Sequence, residues 1–424
     1  MFRFAPRGFA VTQLVVVAGL FLIDAAFAQG NSWRDFRGPA RNGCVANAAV
    51  PLKWSEQENV TWKCKLVGSG WSSPVVEDGK VWLTAATDNG KKLHLIAIDV
   101  VTGEQLYEEV VFENEKPQKK NALNSYASPS PVIEPGHVYI HFGTYGTACF
   151  DTETFKEVWR RRDLNCDHIA GPGSSPILFE DLLIFNVDGG DVQYVVALDK
   201  ETGETRWRTD RSIKLSAFPP DLRKAYSTPI VIDVAGKSEL ISSGAQGSYG
   251  YDPRSGEERW HVRHKGFSMS SRPIASDGMV FVTTGFARAR MLSVKLPAVD
   301  DVTETNVAWR YSRNVPKMAS AVLAGNRIFM IDDSGFATCL DHLTGAVLWR
   351  KRVGGEHCAS PLCIDDRIYF FDRDGKSVVI ERADTYRELA NNHLEDGFMA
   401  TPAVVGDAFV MRTRKHLYRI EVAK

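Results

Sequence analysis

The chain has 424 residues, with 51 Lys and Arg against 52 Asp and Glu, for a formal net charge of −1. That balance supplies no basic surface for nucleic acid. Seven cysteines without a Cys-x-x-Cys pair or a zinc-like Cys/His spacing exclude the zinc-ribbon classes.

In chain order, Arg3 and Arg7 precede an apolar run from Phe9 to Ile23 and then Ala26-Phe27-Ala28. This is the pattern of a secretory signal peptide over residues 1–28, cleaved after Ala28. Asp24 interrupts the run and argues against an uncleaved anchor, and no Cys stands at the new N-terminus to carry a lipid. No later stretch is long and apolar enough to span a bilayer. A periplasmic or secreted, monomeric protein is expected, free or tethered.

Residues 29–58 form an N-terminal arm with Trp33-Arg34-Asp35-Phe36-Arg37-Gly38-Pro39 and then Asn42-Gly43. Aromatics, arginines and turn residues together suggest a strap docked on the following domain. A partner-binding arm is the alternative.

From residue 59 to 424 the sequence repeats. One unit is Asp199-Lys-Glu-Thr202-Gly203 followed by Trp207: a strand ends at Asp, a turn carries Thr and Gly, and the next strand bears an aromatic anchor. Asp suits the first corner because its carboxylate accepts an amide two residues on, and Gly suits a corner that needs positive φ. Copies stand at Asp99/Thr102/Gly103/Tyr107, Asp252/Ser255/Gly256/Trp260 and Asp341/Thr344/Gly345/Trp349. Asp151/Thr154/Trp159 matches with Phe155 in the glycine place, and Glu381 to Leu389 keeps only the spacing. The fifth copy retains only Val307-Ala-Trp309.

A second marker, a small residue, a hydroxyl and Pro, precedes each copy. It is expected at Ser73-Pro74, Ser128-Pro129, Ser175-Pro176, Thr228-Pro229, Arg272-Pro273, Ser320-Ala321, Ser360-Pro361 and Thr401-Pro402. Eight strand-and-turn repeats roughly 40 to 55 residues apart predict an all-β, eight-bladed β-propeller of four-stranded antiparallel blades. After Pro402 only about three strands remain in a blade that needs four. A strand near Val60–Leu66, with Trp62 at the anchor position, is therefore expected to pair with the C-terminal blade and close the ring. The inner strand of each blade lines the axis, where only small residues fit and the hydroxyls can bond neighbouring backbone.

The odd cysteine count leaves at least one thiol free in an exported protein. Cys149 and Cys339 hold equivalent strand positions that point to blade cores; Cys44 with Cys64 and Cys358 with Cys363 are the candidate bridges.

Three long polar stretches, 115–126, 166–173 and 218–226, connect the outer strand of one blade to the inner strand of the next. They open on one face, together with the hairpin tips near Gly90, Asp188–Asp191, Asp332–Gly335 and Asp372–Gly375. Function is expected there, where loops stand on a rigid scaffold.

The pattern Ala-x-Asp-x-x-Thr-Gly-x-x-x-Trp from Ala197 to Trp207 is similar to the repeat of the PQQ-like (pyrroloquinoline quinone) β-propellers, and matching residues run from Trp62 to the C-terminus. The arm around Trp33–Pro39 resembles the opening of an exported bacterial subgroup. The resemblance implies the fold. For activity it implies two branches, quinoprotein dehydrogenases and BamB-type assembly scaffolds. The chain lacks the adjacent Cys-Cys pair of many of the former and the lipidated Cys of the latter.

Candidate ligand or partner residues at the channel mouth are Arg272, Trp71, Tyr126, His168, Tyr226, Arg223, Arg288, Arg290 and His357. Arg272 stands where the other markers carry a hydroxyl, and its planar fork suits a carboxylate or phosphate, or an acid of a neighbouring blade. Trp71, Tyr126 and Tyr226 precede their markers as a ligand platform or as packing. Arg223, Arg288 and Arg290 add positive charge if their loops turn inward. His168 beside Asp167 is a general-base candidate or a histidine bonded to backbone; His357 beside Cys358 is a metal pair or an activated thiol. Asp188–Asp191 and Asp372–Gly375 suggest calcium loops or plain hairpin turns. With no acid/base set identified, the expected function is a non-catalytic scaffold without cofactor, binding exported or envelope proteins or a polysaccharide. The alternatives are an oxidoreductase using PQQ and Ca²⁺ and a carbohydrate-binding propeller.

Overall fold

The computed structural model describes residues 1–2 and 30–423, so the expected signal peptide lies almost wholly outside the described residues. Eight antiparallel sheets follow one another along the chain. From inner to outer strand, blade 1 runs from Val75–Glu77 to Gln105–Glu113, blade 2 from Val132–Glu134 to Glu157–Arg161, and blade 3 from Ile177–Phe179 to Thr205–Asp210. Blade 4 runs from Ile230–Val234 to Glu258–Arg263, and blade 5 from Ile274–Ser276 to Val307–Tyr311. Blade 6 runs from Val322–Ala324 to Val347–Arg352, and blade 7 from Leu362–Ile364 to Glu388–His393. Blade 8 has inner strands Ala403–Val405, Ala408–Arg412 and His416–Ile420; its outer strand is Val60–Lys65, with Trp62 opposite Arg419. The ring is closed by the strand at residues 60–65.

Middle strands are buried on both faces, as in Leu182–Asp188, while outer strands alternate, as in Val60–Lys65. Blades pack face to face, so their middle strands are largely buried on both faces and the outermost strands meet water.

The repeat turns explain the sequence pattern. Asp99 accepts from the amides of Val101 and Thr102 and from the Thr102 hydroxyl, at 2.9, 2.7 and 3.0 Å. Gly203 has φ +74, and a Cβ there would lie 2.6 Å from the Trp159 ring. The Trp of one blade thus covers the turn glycine of the next, and its indole N–H donates to that turn: Trp159 to the Lys200 carbonyl at 2.8 Å and Trp207 to that of Pro253 at 3.1 Å. One exception is a complementary pair. Where Phe155 replaces the glycine, the preceding anchor is Tyr107, and the two rings stack at 4.8 Å. The fifth copy has no such turn because residues 296–306 are diverted. There Asp300–Asp301 adds a parallel strand to the exposed edge of blade 4.

Two expectations need correction. The axial hydroxyl of blade 2 is Ser130, not Ser128: Pro131 leads directly into Val132–Glu134 as Pro74 leads into Val75–Glu77. Tyr126 is therefore not equivalent to Trp71 and Tyr226. All seven cysteines are free, and Cys44 pairs in register with Cys363 rather than facing Cys64, in a short parallel strand beside blade 7. Cys149 and Cys339 are fully buried.

Candidate functional site

Antiparallel order places the start of each inner strand and the second hairpin turn of each blade on one face. The Asp-x-x-Thr-Gly turns lie on the other. A cavity of about 640 Å³ runs down the axis from the first face.

Its base is a circular hydrogen-bond network. The Ser73 amide donates to Ser130 Oγ at 2.9 Å, Ser130 to Ser175 at 2.9 Å, and Ser175 to Thr228 at 3.0 Å. Beyond blade 5 it resumes from Arg272 to Ser320 at 2.9 Å, Ser320 to Ser360 at 2.9 Å, Ser360 to Thr401 at 3.0 Å and Thr401 to Ser73 at 3.1 Å. Only a hydroxyl one carbon from the backbone both fits at the axis and reaches the next blade's amide. The link from Thr228 is missing because Arg272 has no hydroxyl to offer.

Arg272 turns away from the cavity instead. Its guanidinium donates to Asp35 Oδ1 at 2.9 Å, to the Phe36 carbonyl at 2.6 Å and to the Pro229 carbonyl at 3.1 Å. Its acid is therefore supplied by the N-terminal arm, neither by a ligand nor by a neighbouring blade. The arm seals the channel's lower end. Trp33 pairs with Val76, Arg34 with Glu77, and the Arg34 carbonyl accepts from Ile133. Arg37 donates to Ala321 and Arg41 to Leu178, both at 2.7 Å. Arg41 also reaches the second oxygen of Asp35 at 3.0 Å. Phe36 forms part of the cavity floor.

Two residues before each axial position, one layer higher, stand Trp71, Ser128, Gly173, Tyr226, Ser270, Met318, Cys358 and Met399, and all eight line the cavity. A step of two along an extended chain returns to the same face, so both layers are written into the sequence once the register of blade 2 is right. The rim comes from the long loops, through Lys119, Lys120, Leu123, Asp221 and Lys224, and from Phe267 and Phe286.

The remaining candidates fall as follows. Trp71 donates to the Leu123 carbonyl at 3.1 Å, and Tyr226 Oη to that of His168 at 2.7 Å. Tyr126 lies behind the wall, donating to the Gln118 carbonyl at 2.9 Å. His168 is buried, which holds it down to about 4; its neutral Nε2 accepts the Thr144 amide at 2.8 Å. Arg223 staples its own loop through the carbonyls of Phe218 and Ser216. Arg288 is exposed at a hairpin tip and Arg290 half-buried beside it, and neither lines the cavity. His357 is buried, and its Nδ1 meets the Gly355 carbonyl at 3.0 Å. Asp188 is paired with Arg211 at 2.6 Å, and Asp372 accepts the amides of Asp374 and Lys376, so both loops use their acids internally. Sequence reasoning missed Phe36, Phe267, Phe286, Met318, Met399 and the rim lysines, whose roles depend on which loops meet.

Among the described residues, no three His, Cys, Asp or Glu are arranged to hold a metal. A tricarboxylate quinone with calcium would need a free guanidinium and a free acid at the cavity. Arg272 is committed to Asp35, and the lining acid Asp221 is bonded to Lys224. The donor set does not fit that cofactor.

These features define an eight-bladed propeller with a blind axial funnel, built from PQQ-type repeats. The chain belongs to the family described as outer membrane protein assembly factor BamB, whose model matches residues 52–162 and 191–424. A search of curated proteins gives no match. Similar solved structures include BamB from Moraxella catarrhalis (12% identity, 85% of this chain and 99% of that one, TM-score 0.60). A quinohemoprotein alcohol dehydrogenase from Comamonas testosteroni aligns at 13% identity over 96% of this chain and 83% of its own, with TM-score 0.63. The computationally designed Ika8 protein aligns at 11% identity over 85% and 99%, with TM-score 0.58. At such identities the likeness establishes the fold alone.

Proposed function

We propose that the protein is an exported, non-catalytic scaffold that binds another envelope protein on its loop face, a segment of the partner entering the axial funnel. The observation that carries this reading is how the titratable groups around the cavity are used. Asp35 holds Arg272 and Arg41, Asp221 holds Lys224, Asp333 holds Lys317, and His168 caps a backbone amide. Groups spent on the framework make a rigid recess rather than an acid–base site. The funnel offers a partner aromatic faces at Trp71 and Tyr226, hydroxyls at its base, and positive charge from Lys119 and Lys120 at the rim. That combination suits an acidic segment with an apolar side chain.

The test is a photo-crosslinking residue at Leu123, on the rim, with Leu343 on the opposite face as control, in the native envelope. An adduct from Leu123 that disappears when Ser270→Trp fills the funnel supports the reading. Equal adducts from both positions, or dye reduction by the purified protein with PQQ and Ca²⁺, would reject it.

A further inference from the structure

We propose that the funnel wall formed by blades 6, 7 and 8 binds a soft monovalent metal ion, Cu(I) or its analogue Ag(I), through Met318, Cys358 and Met399. The inference goes beyond the partner-binding reading and does not need it.

The three residues hold one register. Each stands two positions before an axial hydroxyl, those of Ser320, Ser360 and Thr401. They are therefore consecutive around a single layer, with the thiol between two thioethers, and all three face the cavity. The hydroxyl ring beneath fixes their spacing, since the Ser320 and Ser360 amides are bonded to the next blade at 2.9 and 3.0 Å. The Cys358 and Met318 sulfurs lie 3.8 Å apart. Two sulfurs each about 2.3 Å from one ion, at a tetrahedral angle, would be separated by about 3.8 Å.

Donor chemistry selects the ion. Thiolate with thioether favours Cu(I), whereas Ca²⁺ and Mg²⁺ require oxygen ligands. Placement separates this cysteine from the packing cysteines: Cys149 and Cys339 are closed inside blades, while Cys358 is partly open to the cavity. Binding exchanges the thiol proton for the ion: the S–H bond breaks, a sulfur–metal bond forms, and H⁺ leaves to solvent with no change of oxidation state. Because one proton is released, affinity should rise with pH.

The experiment is anaerobic titration of the purified protein with Cu(I) against a chromogenic chelator, on a Cys44→Ser background that removes the Cys44–Cys363 thiol pair. The expected result is one equivalent bound, an affinity that rises with pH, and only sulfur scatterers in the X-ray absorption spectrum. Cys358→Ser should abolish tight binding, and the nearly isosteric Met318→Leu and Met399→Leu should each weaken it by about tenfold or more. Should Cys358→Ser fail to fold, the two methionine variants decide. Unchanged affinity in both, or a spectrum with nitrogen or oxygen ligands, would overturn the proposal.

Discussion

Trp62, on the strand that closes the ring, lies face-on against Gly103 of blade 1: the glycine has φ +75, and a Cβ there would sit 2.7 Å from the indole. The indole N–H donates to the Val100 carbonyl at 3.2 Å in the same turn. The contact joins the outermost strand of blade 8 to blade 1 and so spans the closure. Gly103→Ala therefore meets two penalties, a left-handed backbone and a displaced Trp62. Gly136 has φ +87 but open space around the Cβ position, so Gly136→Ala meets only the first. We expect Gly136→Ala to cost about 1 kcal/mol and Gly103→Ala about 3 kcal/mol in urea denaturation. Equal losses would mean that the indole contributes nothing to the seam.

Arg272 and Asp35 make the corresponding test for the arm. Both are buried, and Arg41 reaches the other Asp35 oxygen. Arg272→Ala removes one of the two cations of a desolvated acid and leaves the Phe36 carbonyl without its donor. A loss of about 3 kcal/mol is expected, together with protease cleavage between residues 30 and 58. Arg288→Ala, at an exposed tip, should stay within about 0.5 kcal/mol. If Arg272→Ala leaves the arm protease-resistant, the ion pair does not hold the plug.

The fold was legible because its determinants are local. An Asp that caps its own turn, a glycine at positive φ and an aromatic five residues after the Thr are fixed by spacing, and closure followed from the strand missing after Pro402. The site was less legible because its level depends on register. Placing the blade 2 hydroxyl at Ser128 rather than Ser130 moved one member of the ring by a full pleat pair and put Tyr126 in the upper layer in place of Ser128. Arg272 stood out correctly as an exception, but its partner, Asp35, is 237 residues away, and nothing in the sequence periodicity connects them.

Acid should act in two stages. Burial holds His141 down to about 3 and His168 to about 4, below the ordinary 6.5 of an unfolded histidine. The unfolded chain then binds more protons, so this contribution is fully present above about pH 6.5 and is lost as pH falls toward the folded values. The turn acids Asp99 and Asp151 are lowered chiefly by the amides of Thr102 and Thr154, and Asp341 by the Thr344 hydroxyl. Their contribution is present above the unfolded value near 4 and is lost below it. The urea midpoint should therefore fall between pH 6.5 and 5, where surface carboxylates do not titrate, and fall again below pH 4. His168→Gln should flatten the first stage and Asp341→Asn the second. A midpoint constant from pH 7 to 5 would contradict the buried, neutral histidines.

Cys44 and Cys363 are the thiol pair that an oxidising compartment should join. They are direct partners in the parallel pairing of the arm with blade 7, whose strands stand about 4.8 Å apart, within the span a disulfide bridges. The adjoining Cys363 thiol draws Cys44 below the ordinary thiol value, which makes Cys44 the attacking thiolate. With oxidised glutathione, Cys44 displaces one glutathione to form a mixed disulfide, and Cys363 displaces the second, leaving the protein oxidised and two glutathione thiols formed. Non-reducing peptide mapping should show a single bridge between residues 44 and 363, with the other five thiols still alkylable after denaturation. The bridge would bind the arm covalently to blade 7, so oxidised Arg272→Ala should resist the protease that cuts its reduced form. A bridge from Cys44 to Cys64, or none after prolonged exposure, would show that the arm is not held in this register.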